Sequence, residues 1–285
     1  MSLGLSIACG VLTATGFGTA DFIAKLSTDR VGFLRTALFM QVIGSFFVLP
    51  FALVDAPRLL IDPWMTLAAI SLGVVNALGT LSLYKGFEVG RLSIVSPIAS
   101  TAPVVAILLA VTFLGEVVSD VLLVGISLVL VGIVLVSLQT AQTDASREVA
   151  KGTVYAICFM VLGGILLFGL KPVSSVLGVF LPVLIMRWVG VPVLAVPFLS
   201  RRSTGQGRSA FRLILAVAFF DTFANVIYTL GVHIGTVSIV STLGGMFSAV
   251  TVLLARVVLK ERLSYHQILG FVAIVIGVGI LGAVG

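Results

Sequence analysis

Charge is what this 285-residue sequence has least of: Asp, Glu, Lys and Arg make up 10% of it, against 59% apolar residues. A soluble domain solvates its surface with about 25% charged residues. So sparse a supply excludes a water-exposed globule and suits a chain whose outer surface meets lipid. Cysteine is nearly missing. Cys9 and Cys158 stand singly inside apolar runs, with no CxxC and no Cys/His cluster, which excludes a disulfide framework and a thiolate metal site. Histidine is limited to His233 and His266, both near expected loops, and so offers no convergent nucleophile–base pair. Walker A, GxSxG and HExxH motifs are all absent, which removes ATP hydrolysis and the commonest intramembrane hydrolase signatures. A formal GxGxxG at Gly277–Gly282 lies within an apolar run that follows no strand, so it is no dinucleotide site. No cofactor and no enzyme activity are expected.

What is present is long apolar runs. A membrane span needs about 20 mostly apolar residues. Ten stretches qualify, at 3–24, 32–54, 63–84, 91–113, 119–138, 152–171, 177–199, 211–232, 236–258 and 264–284. The first has no basic residue ahead of it and an equally apolar sequence behind it, so it reads as a span rather than a signal peptide. The connections are short. The two longest, Gln139–Lys151 and Ser200–Ser209, could not hold a soluble domain, so function must reside in the membrane body. The 17 Lys+Arg against 11 Asp+Glu gather in alternate connections, which indicates topology and not a nucleic-acid partner. Arg30, Lys85, Arg147, Arg201 and Lys260 mark one side, whereas Arg58 and Lys171 stand alone on the other. The positive-inside rule puts the basic side in the cytoplasm and both ends of the chain outside.

The chain also repeats. At an offset of 145 residues, Gly86 meets Gly231, Ser93-Ile94-Val95-Ser96 meets Ser238-Ile239-Val240-Ser241, and Glu116 meets Glu261. Ser119 pairs with Ser264, Gly125 with Gly270 and Gly132 with Gly277. Apolar low complexity yields chance Leu and Val matches, but not Glu, Ser and Gly at one fixed offset. The expected domains are a first five-helix repeat over 1–138, a linker over 139–151 and a second repeat over 152–285. Five spans return the chain to the opposite side, so the second repeat enters upside down. The fold class expected is therefore an all-α membrane protein of ten transmembrane helices in two inverted five-helix repeats, an architecture common among secondary transporters.

Each half closes on a Glu, a Ser three residues later, and glycines nine and sixteen residues beyond the Glu, as in Leu114-Gly115-Glu116, Ser119, Gly125 and Gly132. This element resembles the EamA-type repeat of the drug/metabolite transporter superfamily. The resemblance covers essentially the whole chain and implies ten helices in two inverted halves that move a small molecule. It also implies cytoplasmic termini, opposite to the charge count. It does not single out a cargo, because such proteins carry amino acids, sugars, nucleotide-linked sugars, bases or drugs. Two departures stand out: Lys260 replaces the Gly before the second Glu, and Pro97 and Pro103 become Thr242 and Ser248.

The candidate site centres on Asp221, about ten residues from either end of its span and hence about 15 Å deep. A charge there costs about 2.5–3.5 kcal/mol on insertion scales, so it should face a cavity, a partner or a proton. At the repeat offset Asp221 falls on Asn76, and Asn225, one turn on, falls on Thr80. Residues four apart share a helix face, so both halves direct a polar face to equivalent places. Interhelical hydrogen bonding that merely holds the bundle is the competing reading. Arg187, deep in its span beside Trp188, calls for an anion, which Asp221, a lipid phosphate or an acidic substrate would supply; snorkelling is the alternative. Asp21 and Lys25, one turn apart, suggest an interfacial ion pair, with a gating or coupling role as the alternative. Gln41, Tyr84 and Tyr228 are candidates to line the cavity. Gly244-Gly245 and the equivalent Ala99-Ser100 are places to break a helix and present backbone to a substrate. Glu116 and Glu261 at helix ends point to turn closure, and His233 to a solvated end. The expected partners are a small-molecule substrate, membrane lipids and, through Asp221, protons; pairing of two copies is allowed, and the inner cell membrane is the expected location. An uncoupled facilitator or exchanger, or an intramembrane lipid-modifying enzyme, are the alternatives.

Overall fold

The computed structural model describes residues 3–60, 62–90, 92–137, 146–199, 208–259 and 265–283. Within these, the chain forms twelve α-helices, one 3-10 turn over Ala56–Leu60, and no strand. The helices are α1 (Leu3–Val31), α2 (Phe33–Asp55), α3 (Pro63–Val89), α4 (Leu92–Ala99), α5 (Ala102–Leu114), α6 (Asp120–Ser137), α7 (Ser146–Leu177), α8 (Phe180–Leu199), α9 (Arg208–Ile234), α10 (Val237–Gly244), α11 (Phe247–Leu259) and α12 (Tyr265–Ala283). Their starts follow local chemistry. The Asp62 carboxylate accepts hydrogen bonds from the Trp64 and Met65 amides at 2.9 and 3.2 Å, and Pro63 occupies a first-turn position where no amide is needed.

Among the described residues, six stretches are long and apolar enough to cross a membrane: Leu3–Val31, Phe33–Arg58, Pro63–Val89, Gly152–Leu177, Phe180–Leu199 and Phe211–Ile234. Shorter apolar helical stretches cover Ala102–Leu114, Leu123–Leu135, Val237–Thr251 and Ile268–Gly277. The spans at 91–113 and at 236–258 are interrupted, one residue beyond the helix-breaking pairs Ala99-Ser100 and Gly244-Gly245. Each is two helices, broken at Ser100-Thr101 and at Gly245-Met246. The breaks are equivalent to the residue: Thr101 N–H reaches the Ile98 carbonyl and Met246 N–H that of Leu243, both at 3.1 Å. Glycines of low helix propensity favour the second break. The two breaks also touch, since a Cβ on Gly245 would lie 2.6 Å from Pro103 Cγ and 3.3 Å from the Ser100 carbonyl oxygen.

The neighbours of each helix map onto those of its counterpart. α1 packs on α9, α10 and α11, as α7 packs on α3, α4 and α5. α2 pairs with α8, and α6 with α12. The last pair explains the glycines of the repeated motif. A Cβ on Gly132 would stand 2.7 Å from the Gly270 carbonyl oxygen, and one on Gly277 would stand 2.8 Å from that of Gly125. Only glycine lets these backbones approach so closely, which is how helices associate where no hydrophobic drive separates them from lipid. The surface is apolar, with Phe46, Phe113, Val196 and Val275 exposed, whereas Gln41, Arg187, Asn225, Ser241 and Thr251 are buried. Polar groups inside and hydrocarbon outside is the distribution lipid demands.

Candidate binding site

The repeated elements enclose a cavity with about 780 Å³ of empty space, its open mouth included. α1 contributes Thr13, Phe17 and Asp21; α3 contributes Asn76, Thr80 and Tyr84; α7 contributes Phe159, Gly163, Leu166 and Leu167; α9 contributes Asp221, Asn225 and Tyr228. Both helix breaks reach it through Ala102, Pro103, Gly244, Gly245 and Phe247. Thus seven of the nine candidate residues come together: Asp21, Asn76, Thr80, Tyr84, Asp221, Asn225 and Tyr228.

The other two stand behind the wall. Arg187 is 2% exposed and does not snorkel. Its Nη2 forms an ion pair with Asp221 Oδ2, and its Nη1 donates to Gln41 Oε1 at 2.9 Å. Gln41, expected in the cavity lining, is corrected to a clamp for the arginine: a buried guanidinium needs more acceptors than one carboxylate supplies. Gly44 leaves room for this cluster, since a Cβ there would lie 3.2 Å from Arg187 Cζ. Asn225 Nδ2 donates to the Asp221 carbonyl at 2.8 Å and to its Oδ2 at 3.2 Å. Asp221 is therefore anchored from two helices.

The Asp21–Lys25 pair is also corrected. Lys25 Nζ turns to Asp29 Oδ1 at 2.7 Å and to the Phe87 carbonyl at 3.0 Å. The Phe87 carbonyl on α3 and a carboxylate nearer the helix end outcompete Asp21 for the ammonium. Asp21 is left 7% exposed, with no hydrogen-bond donor among the described residues, facing the cavity with Asp221.

The tyrosines are held rather than loose. Tyr228 Oη contacts Ser241 Oγ on α10 at 2.6 Å and donates to the Leu167 carbonyl at 2.8 Å. Tyr84 Oη reaches Met40 Sδ at 3.1 Å. Glu116 closes more than its own turn. Gly115, at φ 65°, ends α5 in the left-handed region, and the carboxylate then caps the second repeat's α10. It accepts from the Val237 amide at 2.7 Å, the Ser238 amide at 3.0 Å and Ser238 Oγ at 2.6 Å. Its counterpart Glu261 lies outside the described residues. His233, expected to be solvated, has a buried Nδ1. Thr13 and Phe17 escaped the sequence reading, although with Asp21 they repeat every four residues on α1.

A bundle with an apolar exterior and polar groups gathered around an internal cavity is an integral, multi-pass membrane protein. The model of the EamA-like transporter family matches this sequence twice, over residues 4–138 and 150–283. The chain belongs to the EamA-like transporter family. The uncharacterized protein MJ1333.1 of Methanocaldococcus jannaschii is 28% identical over 133 residues, covering 47% of this chain and 96% of the relative. That relative is about one repeat long. A solved structure described only as a crystal structure of a protein superimposes with a TM-score of 0.79 at 16% identity, covering 99% of this chain and 98% of the other. That likeness is one of fold.

Proposed function

We propose that this chain is a secondary transporter, crossing the inner cell membrane ten times as two inverted five-helix repeats and carrying a small organic molecule by alternating access coupled to protons. Family membership supports transport of small molecules. The observation that carries the rest is a cavity bounded by equivalent helices of both halves, with two carboxylates on it and two matched helix breaks. Matched breaks give each half a hinge at the site, and a rocking motion about such a site exposes it to either side in turn.

Coupling runs through Asp221, which faces Arg187 from α8, Asp21 from α1 and Tyr84 from α3. The Arg187–Asp221 ion pair is the contact that the transport cycle would make and break. Uptake into proteoliposomes under an imposed pH gradient tests this. Wild-type flux should follow the gradient, and Asp221→Asn flux should be small and indifferent to pH. Substrate-driven counterflow unaffected by a protonophore would overturn coupling and leave a facilitator.

A further inference from the structure

The cavity is symmetric in backbone and asymmetric in chemistry. Thr13, Phe17 and Asp21 on α1 occupy the places held on α7, 146 residues later, by Phe159, Gly163 and Leu167. α1 packs against α9, which carries Asp221, and α7 packs against α3, which carries Asn76 and Thr80. One wall is acidic and the other neutral. Among the lining residues, the charged ones are Asp21 and Asp221, and Arg187 balances only the second. Lys25, one turn further along α1, is committed to Asp29 and the Phe87 carbonyl. On the same α1 face the Thr13 hydroxyl is fully buried and has no hydrogen-bond partner among the described residues. The buried, unmatched carboxylate of Asp21 lacks a donor carrying positive charge; the orphaned hydroxyl lies two turns, or about 12 Å, away along α1.

We propose that the cavity binds a small organic ammonium ion, with Asp21 as its counter-ion and the Phe159–Leu166–Leu167 wall receiving its apolar end. The Phe17 and Tyr84 rings add faces that attract a cation. This names the substrate class for the transporter reading above and rests on it.

Binding of phenethylamine, phenethyl alcohol and 3-phenylpropionate to the purified full chain in nanodiscs at neutral pH tests the assignment. The three share a ring and differ in the charge at the other end. The amine should bind most tightly, and Asp21→Asn should weaken it about 10–100-fold, the worth of one charge-assisted contact. Asp21→Glu and Thr13→Val should both retain preference for the amine. Alcohol binding as tight as amine binding in the wild type overturns the proposal without any variant. So does an amine affinity unchanged in Asp21→Asn, or no amine binding at all. Counterflow of a neutral compound in the same protein would still uphold the transporter reading, so the two fail separately.

Discussion

α1 and α7 hold the same place in their repeats and face the same cavity, yet one presents Thr13, Phe17 and Asp21 and the other Phe159, Gly163 and Leu167. The difference separates what the fold requires from what the proposed cargo would require. The fold needs small residues at close approaches and a break at 100–101 and 245–246, and both repeats supply them. The fold does not need Asp21, because no described residue uses it as an acceptor. Asp221 lies on the same acidic wall but is built in, tied to Arg187 and Asn225.

Removing the cation behind the acidic wall is the harshest way to break this comparison. Arg187→Met leaves Asp221 without its counter-charge and should cost about 3–5 kcal/mol in detergent unfolding. A second substitution, Asp221→Leu, should recover part of that loss. Giving the neutral wall its missing acid comes next. Leu167→Asp places a carboxylate at the counterpart of Asp21, where the cation one turn on, Lys171, already donates to the Val232 and Gly235 carbonyls, and should cost about 2.5–3.5 kcal/mol, read as lower membrane yield and melting temperature. Glu116→Gln touches only the cap of α10, which packs on the acidic wall. With its charged contacts to Val237 and Ser238 weakened, a loss of about 1.5–3 kcal/mol should appear as faster amide exchange at the start of α10. Thr80→Asn, which makes α3 match α9 at one place, should change stability by less than about 1 kcal/mol and leave the order of amine over alcohol binding intact.

Much of this was legible in the sequence. The 145-residue offset paired Asn76 with Asp221 and pointed to Ala99-Ser100 and Gly244-Gly245 as break points, because turn-forming and polar residues in apolar sequence stand out at a fixed spacing. What failed were pairings decided across helices. One-turn spacing favoured Asp21 with Lys25, but the Phe87 carbonyl of α3 and Asp29 claim the lysine. Gln41 was legible as a candidate to line the cavity but not as the second ligand of Arg187, 146 positions away. Glu116 was read as closing a local turn, and nothing in its surroundings in sequence announces that it caps a helix of the other repeat.

The unequal walls also bear on why two repeats occupy one chain. A protein one repeat long could enclose such a cavity only by assembling two copies, and identical copies carry identical side chains at both equivalent places. An acid at the position of Asp21 would then come twice, facing itself. Covalent fusion lifts that constraint. Once the halves are separate stretches of one sequence, position 21 and position 167 can diverge, and a mirror-like chamber becomes one with a polarity of its own. Cargo that is charged at one end and greasy at the other then has a single preferred way to lie in it.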